Sequence, residues 1–227
     1  MMKKKIQTIV VRIEISTLIN RNGIMNRRKM DKLAMGLTNL NNSGVHVLVV
    51  SSGAIILGAE KLKLRNIPES QLDMQATASV GQTELIRWYE DFFDNYNQIV
   101  AQVLLTSDII EYPLLVENTR NTFHTLLEMG IIPIINENDP VSTADIEIDD
   151  NYPLALLVAG IVDADYIVIK LEHDGNYLIV PRSGGKAIEV ANETELQERL
   201  ETMQLIDAPE ENREKSYFPK SIKEIVY

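Results

Sequence analysis

The chain has 227 residues, 45% hydrophobic and 24% charged, a balance that suits a globular domain with a sizeable core and excludes collagen, coiled coil and disorder. It contains no cysteine, which excludes disulfides, thiolate metal sites and a cysteine nucleophile. With 22 Lys and Arg against 33 Asp and Glu, the net charge is −11, which speaks against nucleic acid or an anionic membrane as the main partner.

No apolar run reaches the roughly 18 residues of a membrane helix. The start Met1-Met2-Lys3-Lys4-Lys5 is basic, but the apolar stretch behind it is short and broken by Arg12 and Glu14, unlike a signal h-region. The expectation is a cytoplasmic protein. Ile6 to Ile13 is β-branched and reads as a buried strand. Arg27 to Leu40 carries Met30, Leu33, Leu37 and Leu40 at helical spacing, with Gly44 as a stop. Val45 to Val50 reads as a strand buried on both faces, followed by Ser51-Ser52-Gly53-Ala54 and a helix to about Leu64. Gln71 to Tyr96 is a long helical region, expected to break near Gly81, with Val80, Leu85, Trp88 and Phe92 on its apolar face.

Ile99 to Leu105 is a third strand, Val116 to Met129 a helix with Phe123, Leu126 and Leu127 inward, and Ile131 to Ile135 a fourth strand. Pro140 to Asp150 reads as an acidic loop or hairpin, and Pro153 to Val162 as a helix with proline in its first turn. Tyr166 to Leu171 and Tyr177 to Val180 are strands flanking a turn at Asp174-Gly175, and Glu193 to Met203 is a helix. This alternation predicts an α/β fold around a mainly parallel sheet. One domain is expected over 1–207, with a polar tail over 208–227. In such sheets ligands sit beyond the C-terminal strand ends, where Ser51 to Ala54 and Asn136 to Asp139 fall.

Ser52-Gly53-Ala54 joins a strand to a helix and offers a hydroxyl and backbone N–H groups to a carboxylate or phosphate; spacing alone fits a simple N-cap as well. Asn136-Glu137-Asn138-Asp139 is more polar than capping requires, though a turn with an Asp cap also fits. Neither G-x-x-x-x-G-K-[ST] nor G-x-G-x-x-G occurs, and Gly184-Gly185-Lys186 reads as a hairpin turn. His46, His124 and His173 lack ligand spacing, so no metal site is expected through histidine. Asp145, Glu147, Asp149 and Asp150 have the chemistry to hold Mg²⁺ but read equally as a solvated loop. Trp88 reads as core or subunit interface.

Together these pieces resemble glutamate 5-kinase, of the amino acid kinase family. The match is carried by Asn118-Thr119-Arg120-Asn121-Thr122, by Gly130-Ile131-Ile132-Pro133-Ile134-Ile135-Asn136-Glu137-Asn138-Asp139, and by Val49-Val50-Ser51-Ser52-Gly53-Ala54-Ile55 with Gly58. Ala78-Ser79-Val80-Gly81-Gln82 and Ala101-Gln102-Val103-Leu104-Leu105-Thr106 match as well, so the resemblance runs from about residue 8 to Arg182. It implies a three-layer α/β/α sandwich around an eight-stranded, mostly parallel sheet, and association as homo-oligomers. It implies transfer of the ATP γ-phosphoryl group, with Mg²⁺, to the side-chain carboxylate of L-glutamate at the start of proline synthesis. Ser52 and the Gly53 backbone would face the substrate, Asp139 would hold its amine, and Asn151 another polar group.

The phosphoryl side departs from the family. Where the family has a lysine and then a glycine after its first strand, this chain has Arg12 and Glu14. Arg12 would stand in for the catalytic lysine, but its fork does not copy an ammonium. A carboxylate at 14 repels phosphates, and its side chain blocks close backbone approach. An aspartate of the family's Gly-Asp-Asn-Asp is Tyr152, and its nucleotide-side Thr-Asp-x-Asp-Gly becomes Leu171-Glu172-His173-Asp174-Gly175, with Glu172 and Asp174 as the cofactor-side candidates. The family's glycine-rich nucleotide loop is expected beyond residue 200 and is not found there. Lys170, in an apolar strand, is expected to pair with Glu14 or to snorkel out at the strand end. The resulting expectation is an impaired glutamate 5-kinase. The alternatives are a non-catalytic relative that binds glutamate or proline or modulates a true kinase, and a purely structural subunit.

Overall fold

In the computed structural model, residues 7–20, 24–142, 151–171, 176–182 and 186–203 are described. Seven strands form one sheet among them: β1 (Thr8–Ile13), β2 (His46–Ser51), β3 (Val100–Leu105), β4 (Ile132–Glu137), β5 (Tyr166–Lys170), β6 (Tyr177–Pro181) and β7 (Ile188–Val190), in the order β3-β4-β2-β1-β5-β6-β7. The pairs β3–β4, β4–β2, β2–β1 and β1–β5 are parallel; β5–β6 and β6–β7 are antiparallel. All five parallel strands therefore end along one edge.

Among the described residues six α-helices cover the two faces: α1 (Arg27–Asn42), α2 (Ala54–Lys61), α3 (Gln71–Phe93), α4 (Pro113–Glu128), α5 (Tyr152–Ile161) and α6 (Glu193–Met203). The strands are apolar at nearly every position because helices bury both faces. Ile9, Val11, Ile13, Val47 and Val49 pack with α1, α3 and α6. Val10, Leu48, Val50, Ile135, Ile167 and Ile169 face the other way, onto α4 and α5. This is the three-layer α/β/α sandwich. The side chains expected inward on α1 (Met30, Leu33, Leu37, Leu40) are all buried, and Asn26 caps that helix by accepting from the Lys29 N–H at 3.2 Å. Trp88 belongs to the core, and His124 lies exposed on α4.

The long helix does not break at Gly81: α3 runs unbroken through it. A Cβ at Gly81 would overlap the Ala54 carbonyl oxygen, and one at Gly58 the Thr77 carbonyl oxygen. Glycine serves here as the point where two helix backbones touch, and tertiary packing outweighs its poor helix propensity. α4 begins three residues earlier than its apolar spacing suggested, with Pro113 in its first turn. The short β7 has no periodicity to reveal it and forms only by pairing with β6. The acidic loop 143–150, the turn at Asp174-Gly175, Gly184-Gly185 and the tail lie outside the described residues. No described helix is long and apolar enough to cross a membrane.

Gly81→Ala should force α2 and α3 apart. The expected cost is about 3 kcal/mol, read as a fall in Tm of about 6–12 °C for a chain of this size; a shift within about 1 °C would show that the helix crossing is not tight.

Candidate functional site

The loop after β2 is shaped by one close approach. Gly53 has φ +111°, and a Cβ there would overlap the Ile15 side chain, in the loop that leaves β1. Both the left-handed backbone and the contact require glycine. Ser52 is buried, and its Oγ accepts from the Ile15 N–H at 3.3 Å. It does not cap α2, whose N-cap is Gly53 with no side-chain cap. The N-cap alternative for Ser52 is thereby removed. Behind it, Ser51 Oγ accepts from the Tyr89 hydroxyl at 2.9 Å and donates to the Ser52 carbonyl at 3.2 Å.

The second wall is the end of β4. Gln82, on α3, donates through Nε2 to the Glu137 carbonyl at 3.1 Å, and Gln75 donates to the Ser142 carbonyl at 3.4 Å. Glu137 Oε1 accepts from Ser142 Oγ at 3.2 Å and from the Ser107 N–H at 3.4 Å. Burial raises the Glu137 carboxyl and these bonds oppose the rise. Asp139 is 8% exposed. Burial, with the Glu137 charge as a second cause, pushes its carboxyl up to about 6. It is therefore a buried acid that gains from an arriving cation.

The third wall is the start of α5. Asn151 is 5% exposed, and neither its Nδ2 nor its Oδ1 has a hydrogen-bond partner among the described residues. A buried amide orphaned at both atoms calls for an explanation, and a polar ligand supplies one. Ser52-Gly53, Asp139 and Asn151 thus lie at the ends of β2 and β4, which are paired neighbours, and at the start of α5, on the same edge.

The end of β1 is different. Arg12 is buried, and its Nη2 meets Glu14 Oε1 at 2.5 Å. Its guanidinium also lies 6.0 Å from the centre of the Tyr152 ring. Lys170 does not pair with Glu14, nor does it snorkel out: it is buried, donating from Nζ to the Tyr177 hydroxyl at 3.0 Å, with Glu193 Oε1 at 3.7 Å. The reason is the pleat. Arg12 is in register with Ile169, so Lys170 falls beside Ile13 and points to the α1, α3 and α6 face. Arg12 points to the α5 face, where Tyr152 lies. Glu193, at the start of α6, completes the Lys170 pair by accepting from the Tyr177 hydroxyl at 2.8 Å. No spacing in the sequence signals that contact. Nor did spacing single out Tyr89.

At the end of β1, where the resemblance would put the nucleotide phosphates, the residues present do not suit ATP with Mg²⁺: Glu14 is a carboxylate, and Arg12 beside it is already engaged by that carboxylate. Glu172 and Asp174, with Asp145, Glu147, Asp149 and Asp150, lie outside the described residues.

The family profile described as "Amino acid kinase family" matches residues 16–208. This chain belongs to the amino acid kinase family. Among its relatives, a glutamate 5-kinase of Listeria monocytogenes is 41% identical over 204 residues, covering 88% of this chain and 74% of that protein. The glutamate 5-kinase of Clostridium perfringens is 43% identical over 184 residues, covering 79% and 68%. That of Enterococcus faecalis is 41% identical over 206 residues, covering 88% and 76%. The chain is glutamate 5-kinase-like. A crystal structure of UMP kinase from Ureaplasma parvum matches with TM-score 0.51 and 16% identity, over 74% of this chain and 70% of that one. That likeness speaks to the fold alone.

Asp139 sets a pH dependence. Its folded pKa lies above the ordinary carboxylate value, so the unfolded chain ionises first as pH rises. Stability then falls between about pH 4 and pH 6. Asp139→Asn should raise Tm relative to the parent at about pH 8, and the gain should vanish near pH 4. An equal effect at both pH values would show that Asp139 carries no buried-charge penalty.

Proposed function

We propose that this amino acid kinase family member binds L-glutamate at the loops that end β2 and β4, and that phosphoryl transfer to the glutamate side-chain carboxylate is impaired. The observation that carries the second half is the ion pair of the buried Arg12 with the half-buried Glu14 at the end of β1. Phosphoryl transfer needs positioning and uncompensated positive charge on the transferring group. Here the Glu14 carboxylate sits against the nearest buried cation and repels a phosphate.

On the acceptor side, the Gly53 N–H and Ser52 present donors to a carboxylate. Asp139 holds the substrate ammonium, and Asn151 gives its two unpartnered amide atoms to a further polar group. Asp139 gains its charge as pH rises through about 6, while an amino acid ammonium keeps its proton well above that. Binding should therefore strengthen from about pH 5 to pH 7 and then level off. The names of the relatives support glutamate as the ligand.

Calorimetry on the full chain tests this reading. L-glutamate should bind at about pH 8, Asp139→Ala should weaken it by about tenfold to a hundredfold, and proline, which lacks the second carboxylate, should bind more weakly. The absence of heat with glutamate would sink the acceptor half. Trapping of γ-glutamyl phosphate as its hydroxamate should read near background. The double change Arg12→Lys with Glu14→Gly should raise it by about a hundredfold. A parent rate already in the range of about 1–100 per second would overturn the impaired half.

A further inference from the structure

Tyr89 lies outside the ligand-facing loops, yet it is joined to one of them by a short polar chain. It sits on α3, fully buried, with its ring beside Phe93 at 6.2 Å between centroids. Its hydroxyl donates to Ser51 Oγ, also fully buried, at 2.9 Å. Ser51 has one hydroxyl proton, and with Tyr89 supplying a donor to its oxygen that proton is free to go to the Ser52 carbonyl, 3.2 Å away. Burial raises the Tyr89 phenol far above its ordinary value, so it stays a neutral donor.

The consequence lies on the other side of the next peptide. In a planar trans peptide the C=O and the following N–H point in opposite directions. Holding the Ser52 carbonyl back toward Ser51 therefore turns the Gly53 N–H away from that hydroxyl. No acceptor among the described residues takes that N–H. Gly53 also has the freest backbone in the loop, so its peptide plane needs an external restraint. The contact with Ile15 limits where the Gly53 α-carbon sits, and the Tyr89–Ser51 chain sets how its N–H is aimed.

We propose that Tyr89 is a positioning residue for the acceptor loop: through Ser51 it holds the Ser52 carbonyl and so aims the Gly53 N–H at the carboxylate of a bound amino acid. The proposal rests on the acceptor-side reading above for the identity of the ligand, but the aiming of the N–H is a property of the free protein. The decisive variants are Tyr89→Phe, which keeps the ring, and Ser51→Ala, which breaks the chain at its middle and serves equally if Tyr89→Phe does not fold.

With glycine-selective ¹⁵N labelling of the full chain, the Gly53 amide resonance should move in both variants before any ligand is added. Glycines away from the loop should stay in place. In calorimetry each variant should bind L-glutamate about fivefold to tenfold more weakly than the parent. The double variant should bind no more weakly than either single one, because both changes cut the same chain. An unmoved Gly53 resonance in the variants, or losses that add in the double variant, would overturn the proposal. If the parent itself does not bind glutamate, the acceptor-side reading fails, and the Gly53 resonance alone then decides the role of Tyr89.

Discussion

The contact between Gly53 and Ile15 ties together the loops that leave β1 and β2, and the rest of the site is arranged around it. A side chain on Gly53 would overlap Ile15, and the backbone there is left-handed, so the junction admits glycine alone. The Ser52 hydroxyl closes the same junction from the other side by accepting the Ile15 N–H. The acceptor loop and the end of β1 are thereby held at a fixed separation. Whatever binds at one meets whatever charge the other carries. Glu14, the residue before Ile15, puts a carboxylate at this junction, where it pairs with Arg12.

The two buried cations beneath that edge have separate fates. Arg12 faces α5, between Glu14 and Tyr152. Lys170, one strand over, faces the opposite layer and rests on Tyr177 and Glu193. Each has a carboxylate of its own, which is the condition under which a buried charge is tolerated at all. The arrangement stabilises little by comparison with apolar packing, but removing one member would strand its partner. Lys170 thus anchors α6 onto β5 and β6, and Arg12 anchors the start of α5 onto β1. Both cations are thus engaged in holding helices to the sheet.

α3 has a similar double function. Its apolar residues build the core, and its polar ones brace the site from behind: Gln82 and Gln75 hold the loop after β4, and Tyr89 reaches the loop after β2. The glycine contacts with α2 bring the two helix backbones together on the same side of the site. One helix thus supports both loops that would receive the amino acid, so the packing of the core and the aim of the site are not independent.

Most of the architecture was legible in the sequence, because hydrophobic period and turn residues act locally. The apolar runs at 45–50 and 131–135 read as strands, the first buried on both faces, and the spacing of Met30, Leu33, Leu37 and Leu40 reads as one face of a helix. The loops Ser51 to Ala54 and Asn136 to Asp139 could be placed beyond strand ends on the same grounds. Beyond the short β7, the start of α4, the Glu193 contact and Tyr89, three readings changed once the chain was packed. Gly81 reads as a helix break until α2 is packed against it. Ser52 reads as an N-cap until Ile15 is brought to it from 37 residues away. Lys170 reads as a partner for Glu14 until the register of β5 on β1 sends the two to opposite faces. The amino-acid sequence by itself determined most of the strands and helices, β7 excepted, and which polar loops end them. The tertiary structure alone decided which charges meet and which hydroxyl faces which amide, because those depend on strand register and helix approach, set by contacts between residues far apart in the chain.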